Sequence, residues 1–423
     1  MNNKSVQSKT DSLRISCRST LRLSTSERSG FALAAMLCTV VILLIIGTGV
    51  LAVGLHSRRF AVRTSSEMVA RCATDAGVTK ALFEMNEKLK VIPWNDSSLP
   101  EAIGETLPNS DASYSYAVTG DLSSGYSVES TGKYGLGEKT ISCSLLLVGP
   151  FERAILAQED VILKAGTLVD GYNSGDPWDT DVEVQVGTMS ILPDSIILNS
   201  GVVINGNVVV GVGGSVDTVI KDLGASTYRR YSMLEEIELP LITAPELVDM
   251  GSDIKVKGAT ITVGPTDNGQ YGKIELKKAA NPGILEINGG DVVLYVTGDI
   301  SLGQECEIVI KDGSSLALYL DGDMDAGNNA GINNESVPSS LKIFGTSTEE
   351  QSLILKAKTK TLGAIYAPNA VVIIMADNDI YGSVTAKRFE LKAGGNFYYD
   401  KALRYVTTDD DAVRFVIRQW REE

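Results

Sequence analysis

The chain has 423 residues, of which 43% are hydrophobic, and it carries a formal net charge of −15 with a single histidine, His56. One histidine excludes a histidine-based metal cluster within the chain. Residues 1–90 contain 13 Lys or Arg against 6 Asp or Glu, a net of +7, so residues 91–423 carry −22. Such an acidic body makes nucleic acid an unexpected partner, because phosphates and carboxylates repel each other.

The first 55 residues predict a basic leader followed by a membrane anchor. Residues 1–29 hold six Lys or Arg against two Asp or Glu, and residues 30–55 are 26 consecutive residues without a charge. At about 1.5 Å per residue this run is about 39 Å long as a helix, against a hydrocarbon core of about 30 Å. It is longer than the apolar core of a secretory signal, and no small-residue cleavage pattern follows it. We therefore predict a transmembrane helix at 30–55.

Both flanks of the anchor are basic, since Arg58, Arg59 and Arg63 follow it, and the positive-inside rule gives weak guidance. A basic 29-residue leader is easily retained inside, so we predict a single pass through the inner (plasma) membrane. The N-terminus is then cytoplasmic and the bulk extracytoplasmic, with the cell surface as a further option. His56 is expected among the headgroups, so a Ser-His-Asp triad would have to sit at the membrane edge.

Residues 56–150 predict more helix and then a small sheet. Small and apolar residues recur at spacings of three and four from Ala61 to Phe83. This pattern predicts an amphipathic helix that extends the apolar run into one helix of about 60 residues, ending before Pro93. Residues 91–110 are interpreted as a loop. Three alternating runs then predict a β-meander: Tyr114–Val118, Tyr126–Thr131 and Thr140–Val148. A long helix with a three-stranded antiparallel sheet is a pilin-like module.

Residues 151–403 follow a different pattern, in which short apolar runs alternate with Gly, Asp or Asn and helical periodicity is nearly absent. Such runs are typical of a sandwich, a barrel or a β-solenoid. They are too short and too numerous for one barrel, and several alternate inward and outward residues. The predicted fold is therefore mainly β, with a right-handed parallel β-helix-like solenoid after the pilin-like part. Residues 221–252 predict an excursion or a short helix outside the solenoid, and residues 404–423 a C-terminal strand and tail.

Two acidic runs are the candidate cation sites. Asp321, Asp323 and Asp325 alternate with other residues, a spacing that can turn their oxygens to one side of a turn, as a calcium loop requires. The loop is not an EF-hand, and the alternative is a solvated turn in which Asp serves the backbone. The second run, residues 409–411, is interpreted as a solvated linker. No cofactor is predicted, and no catalytic residue is assigned.

Tyrosines and cysteines leave two alternatives each. Tyr366, Tyr381, Tyr398 and Tyr399 form either a sugar-binding strip or ordinary packing on one wall of the solenoid, and we favour packing. Cys72 and Cys143 either pair in an oxidising compartment or remain small buried thiols, together with Cys306. Since no C-x-x-C pair is present, neither a zinc ribbon nor a redox motif is predicted.

The start of the apolar run, Arg28-Ser29-Gly30-Phe31-Ala32-Leu33, resembles the prepilin segment of type IV pilus and type II secretion minor pilins. The resemblance implies cleavage between Gly30 and Phe31 by a prepilin peptidase, with methylation of the new N-terminus. Major pilins carry Glu at the fifth position after the cut, and Ala35 stands there, as in pseudopilins that favour filament tips. The stretch Ala70–Gly77 resembles the alanine-rich segment of PilX-type minor pilins.

The β-rich part resembles a domain of unassigned function that is found attached to such anchors. The resemblance covers roughly residues 151–403 and gives architecture but no substrate. Its matching motifs are Val169–Ser174, Gly363–Ala370, Tyr381–Val384 and Tyr398–Leu403.

These observations give three hypotheses. The first is a membrane-anchored, pilin-like envelope or surface protein for type IV pilus-like assembly or adhesion, displaying a non-catalytic β-solenoid. Its expected partners are the membrane, pilin-like subunits or pilus assembly machinery, and prepilin peptidase. The second is an extracellular polysaccharide-acting β-helix enzyme that uses Asp321, Asp323 and Asp325 as a cation site. The third is a plain membrane anchor without processing. We favour the first and expect no enzyme activity.

Overall fold

The computed structural model describes residues 31–176, 178–179, 181–333, 336–408 and 410–422. One helix, α1 (Phe31–Leu89), runs for 59 residues, and at about 1.5 Å per residue it is about 88 Å long. The prediction of one continuous helix across the apolar and amphipathic segments is confirmed. It ends four residues before Pro93, after a last turn in which Lys90 N donates to Glu87 O at 3.2 Å.

The C-terminal half of α1 packs on an antiparallel meander. Its strands are β1 (Glu101–Thr106), β2 (Ser113–Asp121), β3 (Gly125–Tyr134) and β4 (Gly137–Val148). The three predicted strands correspond to β2, β3 and β4, whereas β1 lies within the segment interpreted as a loop. Ala73, Ala81 and Met85 of the helix are fully buried against the sheet. The helix approaches so closely that a Cβ on Gly132 would lie 2.2 Å from Ala70 O, so glycine is needed at that contact.

After Pro150 the chain forms short parallel strands in two runs, which are separated by an irregular segment. The first run has one short helix, α2 (Val216–Val219), and contains β5 (Ile155–Ala157), β6 (Val161–Leu163), β7 (Leu168–Tyr172), β8 (Val184–Thr188), β9 (Ile196–Leu198), β10 (Val203–Ile204), β11 (Gly206–Val210), β12 (Ile220–Asp222) and β13 (Arg230–Ser232).

The second run is longer and returns toward the first. Its strands are β14 (Ile254–Lys257), β15 (Thr260–Val263), β16 (Gly269–Tyr271), β17 (Ile274–Lys277), β18 (Ile284–Ile287), β19 (Asp291–Val296), β20 (Ile300–Leu302), β21 (Glu307–Ile310), β22 (Ser315–Leu320), β23 (Met324–Ala326), β24 (Gly331–Ile332), β25 (Leu341–Gly345), β26 (Gln351–Leu355), β27 (Lys360–Ile374), β28 (Asp379–Leu391) and β29 (Asn396–Asp400).

We call β5–β29 the parallel stack. From β14 to β24 each strand pairs in parallel with the strand three positions later, for example β14 with β17, β17 with β20 and β20 with β23. Residues that pair in register lie side by side on neighbouring strands and point to the same side, as Ile274, Ile300 and Met324 do. All three are buried in one apolar core that runs from Ala154 to Tyr399. The prediction of a mainly β chain with one long apolar N-terminal helix is confirmed, and its second part is a parallel sheet of many strands.

The two runs join at the last strands. β28 pairs with β5 and β6, and β29 pairs with β7, so Val384 is the register partner of Ile155. The first run therefore extends the stack beyond the end of the second run. Residues 233–253 connect the far end of the first run to the start of the second, and they contain no α-helix and no strand. The excursion predicted for residues 221–252 is confirmed for residues 233–252 and is wrong for β12 and β13, which are paired strands. The alternative of a short helix is wrong.

The connecting segment covers an aromatic row on one side of the stack. Tyr295, Tyr319, Phe344 and Tyr366 are register partners on successive strands. Ile242 packs on this row, and the Tyr366 hydroxyl donates to the carbonyl oxygen of Pro240 at 2.8 Å. The apolar residues of the segment thus remove from water a set of rings that point away from the central core.

The chain ends by returning to the first sheet. The last strand, β30 (Arg414–Glu422), pairs antiparallel with β4 and makes a five-stranded sheet in the order β1-β2-β3-β4-β30. Phe415 of β30 is 2% exposed and packs against Trp94 and Tyr126. Residues 404–423, which the sequence analysis separates as a strand and tail, therefore supply part of the module that α1 and the first sheet form. The predicted three-stranded sheet has two further strands.

Candidate functional site

The N-terminal part of α1 is the first candidate functional element. Among the described residues, α1 is the one helix that is long and apolar enough to cross a membrane. None of the residues in its most apolar stretch is buried. Leu37, Leu43 and Ile46 are each more than half exposed. Apolar surface of this length needs lipid or other apolar helices around it. Single-pass anchoring by this helix is consistent with both its composition and its exposure.

Polar groups inside the apolar segment are satisfied locally. The Thr39 hydroxyl donates to Met36 O at 2.8 Å, and the Thr48 hydroxyl lies 2.9 Å from both Leu44 O and Ile45 O. Such bonds to the preceding turn satisfy the hydroxyls without another partner, as hydrocarbon surroundings require.

An apolar surface continues along α1 beyond the segment of membrane length. We call it the helix face, and it is a shallow groove of about 560 Å³ lined by Phe60, Ala61, Thr64, Ser65, Met68, Val69 and Cys72. Phe60 is 68% exposed and Met68 is 65% exposed. Phe83 is also exposed, and it lies eleven residues, about three helical turns, after Cys72. The helix face therefore presents apolar side chains to solvent while other positions of the same helix pack on the sheet.

The predicted processing site lies at the start of this helix. Gly30 is outside the described residues, and Phe31 is the first residue of α1. Ala35, at the fifth position after the predicted cut, is exposed.

Cys72 is a free, exposed thiol, and Cys143 and Cys306 are free and buried. The alternative in which Cys72 pairs with Cys143 is therefore wrong, and the alternative of buried thiols holds for Cys143 and Cys306 but is wrong for Cys72.

The candidate calcium loop has its carboxylates on separate partners. Asp325 Oδ2 lies 2.8 Å from Lys356 Nζ, and Asp323 Oδ1 accepts from the backbone N of Ser352 at 2.8 Å. Asp321 is exposed. Across the part of the chain that the structure describes, no three His, Cys, Asp or Glu side chains form a group that could hold a metal ion. The expectation that this spacing turns the three carboxylates toward one point is wrong.

The physical reason is that Asp299 and Asp323 each lie between two successive strands of the stack. The backbone N of Asp323 donates to Asp299 Oδ1 at 3.0 Å. Asp323 Oδ1 in turn accepts from the backbone N of Ser352. These aspartates hydrogen-bond the backbone of a neighbouring segment of the stack, which corresponds to the alternative in which Asp serves the backbone. Asp299 and Asp323 thus link successive segments of the stack.

The second acidic run joins the parallel stack to the first sheet. Asp409 lies outside the described residues. Asp410 pairs with Lys342, and the Tyr319 hydroxyl donates to Asp411. Burial raises the pKa of Asp411, and the neighbouring Asp410 adds to this, while Tyr319 and Lys342 act in the opposite direction. For Asp410 burial also opposes ionisation, but hydrogen bonds from Lys342 and Thr407 outweigh it and lower the pKa. The interpretation of this run as a solvated linker is wrong for these two residues.

Further contacts fix the same junction. Asn86 of α1 accepts from Phe415 N at 2.7 Å and donates to Phe415 O at 3.3 Å. Arg414 donates to the carbonyl oxygen of Glu238 in the connecting segment at 3.2 Å. Helix, sheet and stack are therefore tied together by polar contacts as well as by chain connectivity.

The four tyrosines do not form one exposed strip. Tyr366 and Tyr399 are 1% and 0% exposed, and burial raises the pKa of Tyr399 to about 12. Tyr381 and Tyr398 stack on each other with ring centroids 4.8 Å apart, so each ring presents a face to the other. This geometry corresponds to the packing alternative.

The comparisons with known proteins add the following findings. A family model described as a domain of unknown function (DUF7305) matches residues 244–406, less than half of the chain. The match therefore covers the second run of the parallel stack and omits the first. No curated protein matches the chain by sequence.

Two solved structures are similar at low identity. One is the competence-associated pilin ComZ from Thermus thermophilus, with 13% identity, a TM-score of 0.30 and coverage of 85% of this chain and 97% of the other. The second is an ice-binding protein from the Antarctic ascomycete Antarctomyces psychrotrophicus. It has 11% identity, a TM-score of 0.26 and coverage of 58% and 94%. TM-scores below 0.5 do not establish a shared fold, so function is argued from the geometry of this chain.

Proposed function

We propose that the chain is a membrane-anchored, pilin-like envelope or surface protein that takes part in type IV pilus-like assembly or adhesion. Its N-terminal segment is processed between Gly30 and Phe31 and is of the PilX-type minor pilin kind. Its N-terminus is cytoplasmic before processing, and the sheet and stack lie outside the inner membrane. Its partners are the membrane, prepilin peptidase and pilin-like subunits or their assembly machinery.

The observation that carries this proposal is the continuity of apolar surface along α1. The segment of membrane length is wholly exposed, and the helix face extends the apolar surface to Cys72. A helix that only anchored the protein would need apolar residues over about 20 positions. The additional apolar surface outside that length supports packing against other helices, as expected for a subunit that moves between a membrane and an assembly.

We further propose that the parallel stack is a right-handed parallel β-helix that does no chemistry of its own. The pairing period of three strands and the single core along all coils support the β-helix. The only histidine, His56, is exposed on the anchor helix. Solenoid folds serve both enzymes and non-enzymes, so this part of the proposal rests on the residues rather than on the fold.

Cross-linking in the native membrane tests assembly through the helix face. In a Cys38→Ala background, a short bis-maleimide reagent is expected to link Cys72 to neighbouring subunits and to give products larger than the monomer. Met68→Glu places a charge in the helix face and should remove these products. Leu136→Glu, at a residue 90% exposed in the turn between β3 and β4, is the matched control and should leave them unchanged. Cross-links that are missing in the parent, or that survive Met68→Glu, would contradict the proposal.

A further inference from the structure

A second groove lies on the parallel stack, far along the chain from the helix face. We call it the stack groove. It has a volume of about 990 Å³ and is lined by Glu183, Asn207, Tyr228, Arg229, Arg230 and Tyr231. This volume is at the upper end of the roughly 300–1,000 Å³ that is usual for small-molecule sites. Its walls come from β11, β13 and the residues that precede β8 and β13, so regular strands of the stack hold it.

Hydrogen bonds fix the polar wall of the stack groove. The side-chain amide of Asn207 donates to the Glu183 carboxylate, and its oxygen accepts from Arg229 N at 3.1 Å. Gln185 Nε2 donates to the Tyr231 hydroxyl at 2.8 Å. A side-chain amide, a carboxylate and a tyrosine hydroxyl are therefore oriented before any ligand arrives, which lowers the entropic cost of binding.

The aromatic and basic residues of the stack groove remain available to a ligand. Tyr228 is 59% exposed and Tyr231 is 39% exposed. Within the described residues, the Arg229 guanidinium makes no hydrogen bond or ion pair, whereas Arg230 is bound to Asp222 at 2.7 Å. Arg229 thus has its full set of planar donors free.

The charges of the stack groove nearly cancel. Glu183 opposes Arg229, and Asp222 neutralises Arg230. Beyond the groove, residues 91–423 carry −22, a field that repels polyanions at long range. A strongly anionic ligand is therefore disfavoured, and a purely apolar ligand would leave the donors of Arg229 and the acceptors of Glu183 without partners.

We infer that the stack groove binds an uncharged saccharide chain. A pyranose presents an apolar C–H face, which suits the negative face of an aromatic ring such as that of Tyr228. Its vicinal hydroxyls both donate and accept hydrogen bonds, which suits Arg229, Glu183 and Asn207 together. This inference goes beyond the proposed anchoring and assembly, and it stands even if the anchor is not processed.

The groove binds without cleaving. Glycoside hydrolysis uses two carboxyl groups on opposite sides of the scissile bond, at about 5–10 Å from each other. Glu183 is the one carboxylate among the six lining residues, and Asn207 already engages it. The groove therefore supplies recognition to a displayed protein and no general acid–base pair.

Calorimetric titration of the full chain in detergent micelles tests this inference. The probes are neutral hexasaccharides of glucose, mannose and N-acetylglucosamine, with a galacturonic acid hexamer as the charged counterpart. At least one neutral hexamer is expected to bind, and more tightly than the charged hexamer. Tyr228→Ala should weaken that binding about tenfold, whereas Tyr228→Phe keeps the ring and should retain it. Tyr405→Ala, at a tyrosine 78% exposed outside the groove, is the matched control and should leave affinity unchanged.

Three outcomes would overturn the inference. The first is the failure of all three neutral hexamers to bind at millimolar concentration. The second is equal affinity of Tyr228→Ala and Tyr405→Ala for the bound hexamer. The third is tighter binding of the galacturonic acid hexamer than of any neutral one. Circular dichroism of each variant confirms that the fold is retained, which is expected because Tyr228 is mostly exposed.

Discussion

Gly382→Ala tests the close approach of β27 and β28 in the parallel stack. Gly382 has φ +147°, a conformation that L side chains rarely adopt, and a Cβ added there would lie 1.9 Å from the backbone O of Gly363. These two glycines are register partners on β28 and β27. The clashing atom is a backbone oxygen of β27, so the backbone of β27 itself would have to shift.

The magnitude follows from two contributions. An Ala at positive φ costs roughly 1–2 kcal/mol, and forcing an atom into a packed site costs about 1–3 kcal/mol more. We therefore expect Gly382→Ala to lower the free energy of unfolding by about 2–5 kcal/mol. Gly313→Ala is the matched control, since Gly313 has φ +75° but nothing within 4 Å of its added Cβ. It should cost only the conformational part, roughly 1–2 kcal/mol.

Thermal unfolding of the full chain in detergent micelles, followed by circular dichroism, measures both variants. For a unit of this size each kcal/mol corresponds to about 2–4 °C in Tm. Gly382→Ala should therefore lower Tm by about 10 °C, and Gly313→Ala by about 3 °C. Equal shifts for the two variants would show that β27 and β28 do not approach as described, and would refute the reasoning.

Three further predictions concern the junction, the first sheet and calcium. Asp410→Asn should destabilise the chain by about 2 kcal/mol at pH 7, because the ion pair with Lys342 is lost. The folded pKa of Asp410 is lowered, so its contribution is present above the unfolded pKa and fades in acid; a difference in Tm that persists at pH 2 would contradict this. Phe415→Ala should cost about 3–5 kcal/mol and expose Trp94 to fluorescence quenchers; unchanged quenching would contradict the packing of β30 on this sheet. Millimolar calcium should leave Tm unchanged, because Asp323 and Asp325 already have protein partners; a rise reversed by chelator would restore the calcium site.

The local sequence pattern is enough to predict those helices and strands that are specified by neighbouring residues. The charge-free run and the spacings of three and four define α1, and alternation defines β2, β3 and β4. β1 was missed because its sequence, Glu101–Thr106, holds a glycine and two glutamates and is mostly exposed. It forms through pairing with β2, which its own composition does not reveal.

The arrangement of the stack could not be predicted from the sequence. Val384 pairs with Ile155, and Trp420 pairs with Cys143, contacts between residues more than 200 positions apart. Short apolar runs look alike, so nothing local indicates that the first run stacks on the last coil. The same holds for β30, since the sequence predicts a C-terminal strand there but not that it pairs with β4.

The candidate sites also show that local sequence pattern does not reveal contacts between distant residues. The spacing of Asp321, Asp323 and Asp325 suggested a shared ligand, but their partners Lys356 and Ser352 come from a later coil. Tyr228–Tyr231 were assigned to an irregular excursion. Two arginines flanked by two tyrosines are the local signal, and only the neighbouring strands reveal the groove that these residues line.

The central claim is that the anchor is a processed, pilin-like segment, and the intact mass of the protein extracted from its host membrane tests it most directly. We predict the mass of residues 31–423, with or without one added methyl group. Gly30→Val should retain the mass from Met1, while the control Gly47→Val, within α1, should be cut as the parent is. A parent protein that begins at Met1 would contradict the account.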